Sequence, residues 1–288
     1  MILGGPASPK LSKRLSLELH TFLLTPEIKR FPDGEIYIRL PGELKGKEVV
    51  VVQSLGPPQN ENLMVLLLML DAARDLGAKK VVCVTPYFCY ARQDKRFKPG
   101  EAISMKTIVK LIEEVAPDEL ITIDIHEDSS LRYFSIPVKN LTAMPLLGKF
   151  IGSRLRLKNP VVIGGDQGSE ERAKKVAEEI GGGHDYLVKR RITPTKVTVE
   201  PKKIDAKGRD VIIVDDIIST GGTVIKAVKV LSRQGARNIY AACTHPVLVG
   251  KTLEKLRKAG TRKVIATDTI EREVSLVSVA PLIAQALR

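Results

Sequence analysis

Aromatic residues make up only 4% of this chain of 288 residues, and tryptophan is absent. A surface that holds single-stranded nucleic acid by stacking needs several exposed rings, so no such platform is expected. Cysteine is almost as scarce: Cys83, Cys89 and Cys243 are far from zinc-site spacing, and two of them lie in apolar, strand-like surroundings. They read as buried free thiols in a reducing compartment, which points to the cytoplasm. The longest apolar run, Leu63 to Leu70, is broken too soon to cross a bilayer. No basic stretch followed by an apolar segment opens the chain, so neither a leader nor a membrane partner is expected. Acid is in deficit, with 33 Asp and Glu against 46 Lys and Arg and a formal net charge of +13. The cations are spread along the chain without a helix-turn-helix, zinc-finger or RNP signature, so nucleic acid is not an expected partner. Handling of small phosphorylated anions explains the charge equally well.

What is present is concentrated in VIIVDDIISTGGTVIKAVKVL, Val211 to Leu231. The β-branched run Val211 to Val214 has the composition of a strand buried on both faces. Val224, Ile225, Val228 and Leu231 then recur at helical spacing, so the chain passes from strand to helix through one short turn. Asp215 and Asp216 stand at the carboxyl end of the strand, followed by Ser219, Thr220, Gly221, Gly222 and Thr223. A glycine-bearing turn at a helix start exposes backbone N–H groups and the positive end of the helix dipole, which suits a phosphate dianion. The paired carboxylates would repel that phosphate, but they can accept hydrogen bonds from neutral hydroxyls or hold a divalent cation. The implied ligand has a phosphate at one end and vicinal hydroxyls at the other, as a phosphorylated pentose does. No Lys follows the glycines, which excludes a Walker A loop.

The same pattern occurs twice. GKEVVVVQSL from Gly46 can be laid over GRDVIIVDDI from Gly208, and LGAKKVVCVTPY over QGARNIYAACTHP, with Gly77 over Gly235. Each copy reads strand, turn, helix, Gly-Ala, strand, a βαβ unit. The separation of the copies shrinks by four residues between the first glycine pair and the second, which suggests extra residues in the first copy between its strand and its helix. Two α/β domains are therefore expected, 1–142 and 143–288, with the last helix, about 275–288, a candidate to pack on the first domain. In the first copy Gln53 and Ser54 replace the two aspartates, and Pro57 and Pro58 remove amide donors that a phosphate cradle would use.

Five further stretches carry polar groups. Phe31 and Pro32 precede Asp33-Gly34 in a turn that leads through Glu35 into the alternating strand Ile36, Tyr37, Ile38. Arg92, Gln93, Asp94, Lys95 and Arg96 lie in a basic loop, Thr85 to Lys106, of the kind able to enclose a triphosphate. Asp124, His126 and Asp128 follow at intervals of two, so on an extended backbone they would face one side. In the second half, PVVIGGDQGSEERAKKVAEEI reads as strand, turn, helix with Asp166 in the turn, and Lys189, Arg190 and Arg191 form a run without an acid, which must face water or phosphate.

The Asp215 to Thr223 turn resembles the phosphoribosyl-pyrophosphate binding motif of the type I phosphoribosyltransferase fold. With RFPDGE at Arg30, YARQDKRFKPGE at Tyr90, DIHED at Asp124, GGDQG at Gly164 and KRR at Lys189, the whole chain resembles the ribose-phosphate diphosphokinase family, at six places in the same order. The resemblance implies two tandem domains of that fold, each a mainly parallel sheet flanked by helices. It implies transfer of the pyrophosphoryl group of MgATP to ribose 5-phosphate. By that resemblance Phe31, Asp33, Glu35, Arg92, Gln93, Asp94, Lys95 and Arg96 bind ATP, often across a subunit interface of a homodimer or larger homo-oligomer. Asp166, Asp215, Asp216, Ser219, Thr220, Gly221, Gly222 and Thr223 bind ribose 5-phosphate, His126 and Asp166 hold Mg²⁺, and Lys189, Arg191 and His126 are catalytic. Gly165 stands where the family has Pro and Ser129 where it has Gln, which leaves the surroundings of both sites open. A base-transferring phosphoribosyltransferase would keep the Asp215-Asp216 turn but has one such domain, and a non-enzymatic subunit would have lost His126, Lys189 and Arg191.

Overall fold

The computed structural model describes the backbone at residues 1–193, 196–201 and 205–288, and side chains outside 189–204. It divides into two compact units. The first comprises Met1–Leu141, Thr269–Glu271 and Ser278–Arg288; the second comprises Thr142–Asp268 and Arg272–Val277.

In the first unit the elements are β1 (Ile2–Gly4), α1 (Pro9–Glu18), β2 (Leu23–Leu24), β3 (Glu27–Arg30), β4 (Ile36–Arg39), β5 (Glu48–Val52), α2 (Gln59–Asp75), β6 (Lys80–Thr85), α3 (Ser104–Glu114), β7 (Glu119–Ile123) and β8 (Val138–Leu141). The order β2-β1-β5-β6-β7-β8 forms a sheet in which every pairing is parallel. Its central strands carry uninterrupted apolar runs, Val49 to Val52 and Val81 to Val84, because helices cover both faces and leave no side for polar residues. Outside this sheet, β3 and β4 form an antiparallel hairpin.

The second unit contains α4 (Met144–Arg154), β9 (Val161–Gly164), α5 (Glu170–Ile180), β10 (Gly183–Thr193), β11 (Lys196–Pro201), β12 (Asp210–Ile217), α6 (Gly222–Arg233), β13 (Asn238–His245), α7 (Thr252–Ala259), β14 (Thr261–Thr267) and β15 (Ser275–Val277). The strand order is β11-β10-β9-β12-β13-β14-β15, parallel except where β11 runs back along β10. Alternate residues of β12 feed two cores. Val211 and Ile213 pack with Val228 and Leu231 of α6, while Ile212 and Val214 pack with Met144, Leu147 and Val176 of α4 and α5. The period of two across the strand and the helical spacing of α6 thus account for the two-faced burial.

The two copies close in the same way. The Gly46 N–H donates to the Gly77 carbonyl at 2.8 Å, and the Gly208 N–H donates to the Gly235 carbonyl at 2.8 Å. All four glycines have positive φ, between 70° and 82°, a conformation that side-chain-bearing residues avoid. The next backbone pair matches too: the N–H of Lys79 donates to Lys47 and that of Arg237 to Arg209, both at 2.8 Å. The extra residues of the first copy are not where the sequence spacing suggested. The first copy's helix α2 has 17 residues and its counterpart α6 has 12, and α2 starts one aligned position earlier, so the net four extra residues fall within the helix rather than in the turn before it. Four residues are close to one helical turn, and such an insertion leaves the buried face in phase.

The final helix, α8 (Ala280–Leu287), belongs to the first unit, where it lies against α1 and buries Ala280, Ile283 and Ala284. The Lys139 ammonium donates to the Ala286 carbonyl at 2.9 Å and the Arg288 guanidinium to the Glu18 carbonyl at 3.1 Å. A chain ending at Val277 is expected to lose about 3–5 kcal/mol, the scale of emptying a core position. Thermal unfolding followed by circular dichroism should show the melting temperature lower by about 10 °C.

Candidate active site

The carboxyl end of β12 delivers Asp215 and Asp216 into a turn that ends at Gly221, φ 71°, the residue before α6. A Cβ at Gly221 would stand 2.9 Å from Thr252 Cγ2 and 3.5 Å from Leu256, so the turn lies flat on α7. The Leu248 N–H donates to the Ile218 carbonyl and the Val249 N–H to the Ser219 carbonyl, at 2.9 and 3.1 Å, which holds the turn from one side. On the other side it is open. Thr220, Gly222 and Thr223 are exposed, and a Cβ added to Gly222 would meet nothing nearer than Thr220 Oγ1 at 3.8 Å. Helix α6 has no side-chain N-cap and no acid in its first turn. Its first N–H groups, which have no intrahelical acceptor, are thus left for an anion.

Asp166 follows β9, the strand beside β12. Its Oδ1 accepts from the Ser169 N–H at 3.1 Å and the Ser169 hydroxyl at 3.0 Å. The same hydroxyl stands 3.3 Å from Asp215 Oδ1, which also accepts from the Asp216 N–H at 3.0 Å. Ser169 is the residue before α5, yet its side chain makes no cap hydrogen bond to that helix and instead bridges the two carboxylates. A Cβ at Gly165 would lie 2.8 Å from Asp215 Oδ2, so the glycine gives that carboxylate its room. Burial pushes the Asp215 carboxyl up to about 8, with Asp216 and then Asp166 adding to the rise. Arg172, reaching from α5 to 3.7 Å from Asp216 Oδ1, opposes the rise. Three carboxyl groups thus stand together with the Arg172 guanidinium beside them.

The corresponding place in the first unit is filled by the chain itself. Gln53, fully buried, accepts from the Ala7 N–H through Oε1 at 3.1 Å and donates through Nε2 to Asn62 Oδ1 at 3.2 Å. Ser54 is spoken for in the same way: its hydroxyl donates to the Thr269 carbonyl at 2.6 Å. Glu61 in the first turn of α2 places an acid where a phosphate would need donors.

Other polar groups of the first unit do face outward. The β3–β4 hairpin presents Phe31, 48% exposed, edge-on to Tyr37 with ring centroids 6.1 Å apart. Asp33 Oδ1 accepts from the Glu35 N–H at 3.2 Å, and both side chains are exposed. In the basic loop Arg92, Lys95 and Arg96 are exposed, and Glu101 braces the backbone by accepting from the N–H groups of Phe97 and Lys98. Gln93 is half-buried and its carbonyl accepts from the Met105 N–H at 3.2 Å. Asp94 differs from its neighbours: it is buried, and its carbonyl accepts from the Tyr133 hydroxyl at 2.7 Å.

The expectation that Asp124, His126 and Asp128 share one side of an extended backbone is not met. Strand β7 ends at Ile123, Asp124 takes φ 41°, and Asp128 opens a 3₁₀ turn over Asp128–Tyr133. The left-handed residue breaks the alternation, so Asp124 is buried while His126 and Asp128 are exposed. Sequence reasoning passed over Asn140, which holds this loop: its Oδ1 accepts from the Ile125 N–H at 3.0 Å and its Nδ2 donates to Asp128 at 2.8 Å. Ser169 and Arg172 were passed over as well. Lys189 and Arg191 fall in strand β10, paired with Val199 and Val197, but their side chains lie outside the described residues. Among the described residues no group of three or more His, Cys, Asp and Glu side chains is arranged to hold a metal ion, at His126 or at Asp166. Cys83, Cys89 and Cys243 are free and buried, and burial pushes the Cys89 thiol up to about 12.

Two parallel-sheet units, one with a carboxylate pair ahead of an open glycine turn and the other with that place closed, define a tandem phosphoribosyltransferase-type fold. Residues 1–115 match the family described as the N-terminal domain of ribose phosphate pyrophosphokinase, and residues 139–278 match the phosphoribosyl transferase domain. A ribose-phosphate pyrophosphokinase of Methanothermobacter thermautotrophicus is 45% identical over 288 residues, covering 100% of both chains. One from Methanopyrus kandleri is 44% identical over 287 residues, covering 100% of this chain and 98% of the relative. The crystal structure of phosphoribosylpyrophosphate synthetase from Mycobacterium smegmatis superposes with a TM-score of 0.89 at 32% identity, covering 100% of this chain and 97% of that one. The chain belongs to the ribose-phosphate pyrophosphokinase family. No helix among the described residues is long and apolar enough to cross a membrane.

Proposed function

We propose that this chain transfers the pyrophosphoryl group of ATP to the anomeric hydroxyl of ribose 5-phosphate, giving 5-phosphoribosyl 1-pyrophosphate and AMP. The observation that carries the reading is the open turn from Asp215 to Thr223, with an uncapped helix start for a phosphate and acceptors for a diol a few residues away. In this reading the N–H groups of Gly222 and Thr223 and the hydroxyls of Ser219, Thr220 and Thr223 hold the 5-phosphate, while Asp215, Asp216 and Asp166 orient the ribose hydroxyls. The exposed Phe31 offers a face to adenine, with Asp33 and Glu35 as acceptors beside it, and Arg92, Gln93, Lys95 and Arg96 take the ATP phosphates. Asp94 would act from inside the loop. Lys189, Arg191 and His126 would stabilise charge on the transferred group. The reacting sugar oxygen attacks the β-phosphorus in line with departure of AMP, so positioning and charge neutralisation supply most of the rate.

Mg²⁺ fits the donor chemistry. The oxygen-only set Asp166, Asp215 and Asp216 brings three carboxyl groups together, with the Ser169 hydroxyl between Asp166 and Asp215. A hard cation held by one or two carboxylates and by substrate phosphates does not need a cage built by the protein alone. Its chemistry would be to neutralise phosphate charge, and in this reading His126 and Asp166 are the residues that would hold it. The reading also places the enzyme in the cytoplasm, as a homodimer or larger homo-oligomer whose ATP site draws on a neighbouring subunit.

The test supplies ribose 5-phosphate, ATP and Mg²⁺ and follows products by ³¹P NMR. AMP and 5-phosphoribosyl 1-pyrophosphate are expected in equal amounts, and Lys189→Ala is expected to lower kcat by about 10³-fold while ribose 5-phosphate still binds, as removal of a charge-stabilising donor does. Intact ATP together with consumption of 5-phosphoribosyl 1-pyrophosphate and a free base would replace the reading with base transfer.

A further inference from the structure

The catalytic turn lies at the carboxyl ends of the second unit's parallel strands. The opposite end holds a separate cavity of about 400 Å³, lined by Arg154, Arg156, Arg237, Arg262 and Lys263, with Tyr240 and Asn238. Asn238 and Thr261 open β13 and β14, and Arg154 ends α4, so the cavity belongs to the amino edge of the sheet. Among the described residues four arginines and a lysine line it and no acidic side chain does.

The arrangement is built from the interior outward. Asp210, the first residue of β12, is fully buried. Its Oδ1 accepts from Asn238 Nδ2 at 2.8 Å and lies 3.2 Å from Arg237 Nε, while its Oδ2 accepts from the Lys158 N–H at 2.7 Å. Asn238 passes the order on, since its Oδ1 accepts from Arg262 Nη1 at 2.6 Å. One buried carboxylate thus positions two guanidinium groups at the cavity, one directly and one through a neutral amide. That carboxylate offsets a single positive charge, and the other cations face the same space. Like charges converging without a counterion repel, and arginine forks match phosphate oxygens two at a time.

We infer that this cavity is a second anion site, for a small molecule bearing two or more linked phosphate groups. A single carboxylate would leave most of the charge unbalanced, whereas an oligophosphate brings several negative charges in one compact chain. The site is distinct from the catalytic turn. Asp210 and Asp215 lie five residues apart on one strand, roughly 17 Å at about 3.3 Å per residue.

The test uses inorganic tripolyphosphate on the full chain at 150 mM salt. Lysine acetylation read by mass spectrometry reports each position separately, whatever else binds elsewhere and whatever reaction the chain performs. Lys263 is expected to be protected at least tenfold by tripolyphosphate, and the exposed Lys13 and Lys110 of the first unit are expected to remain unprotected. Arg156→Ser/Arg262→Ser should remove that protection while leaving the Asp210–Arg237 pair intact and the melting temperature unchanged. Equal protection of Lys13, Lys110 and Lys263 would show only a diffuse ion atmosphere and overturn the site. Matching protection by a glutamate oligomer of the same charge would overturn the assignment to phosphate. If the double variant unfolds, the wild-type contrast between Lys263 and the two control lysines still decides the matter.

Discussion

Gly221→Val is expected to lower both stability and turnover, whereas Gly222→Ala, one residue later, should raise KM for ribose 5-phosphate without loss of stability. Gly221 sits at φ 71°, where a β-branched residue is strained, and its Cβ would press on Thr252 Cγ2 at 2.9 Å. Strain of this kind and overpacking together amount to about 2–4 kcal/mol. The turn would have to lift from α7, and the first N–H groups of α6 would move with it. A displacement near 1 Å at a positioning element lowers rate by about 10²-fold. Gly222 has ordinary backbone geometry at the first position of the helix, and the space beside it holds only Thr220 Oγ1 at 3.8 Å. Alanine there favours the helix slightly over glycine, by up to about 1 kcal/mol. Its methyl would project into the open side of the turn, where the proposed 5-phosphate lies. Thermal unfolding and steady-state kinetics on both variants separate the cases. Gly222→Ala should melt no lower than the parent, with KM for ribose 5-phosphate raised about tenfold or more. An unchanged KM in that variant would remove the phosphate from this turn.

The turn itself was legible because its signals are local. A β-branched strand, two acids, small residues and a helical repeat succeed one another within about twenty positions, each with a direct conformational meaning. The repeat was legible for the same reason: Gly46, Gly77, Gly208 and Gly235 are held to positive φ by backbone geometry that few other residues meet. What escaped depended on contacts between distant positions. Nothing local in the sequence says that Ser169 forgoes its helix to bridge Asp166 and Asp215, or that Asn140 ties down the loop after β7. The break at Asp124 was missed because residues at intervals of two imply one face only while the backbone stays extended, and here the extension ends one residue earlier. The lengthened α2 was misplaced into the preceding turn because an offset between repeats counts residues without saying which element absorbs them.

Asp215→Asn is expected to stabilise the unliganded protein at pH 8 while lowering kcat/KM for ribose 5-phosphate by about 10- to 10²-fold. In the folded chain the carboxyl holds its proton up to about 8, against 3.8 when unperturbed, because it is buried beside Asp216 and Asp166. Between those two values the native state binds a proton that the unfolded state has released. Stability is therefore greatest toward the lower value and falls as pH rises through the window, by up to about 1.4 kcal/mol per pH unit for one group. An asparagine can keep its oxygen at the Oδ1 position, facing the Ser169 hydroxyl and the Asp216 N–H, and place its amide nitrogen beside Gly165. It carries no charge, so the slope contributed by this position should vanish, and the variant's unfolding free energy should be nearly flat from pH 5 to pH 8 where the parent's declines. Activity should move the other way. A neutral amide accepts from a sugar hydroxyl more weakly than a carboxylate, and a hydrogen bond to a charged group contributes about 1.5–3 kcal/mol. Urea unfolding at several pH values, with kinetics on the same samples, reads both effects. A parent chain with no loss of stability between pH 5 and pH 8 would mean that Asp215 is ionised without penalty, and a variant with unimpaired kcat/KM would mean that the carboxylate pair does not hold the sugar. Higher stability with lower activity is the expected combination when like charges are kept together for a ligand rather than for the fold.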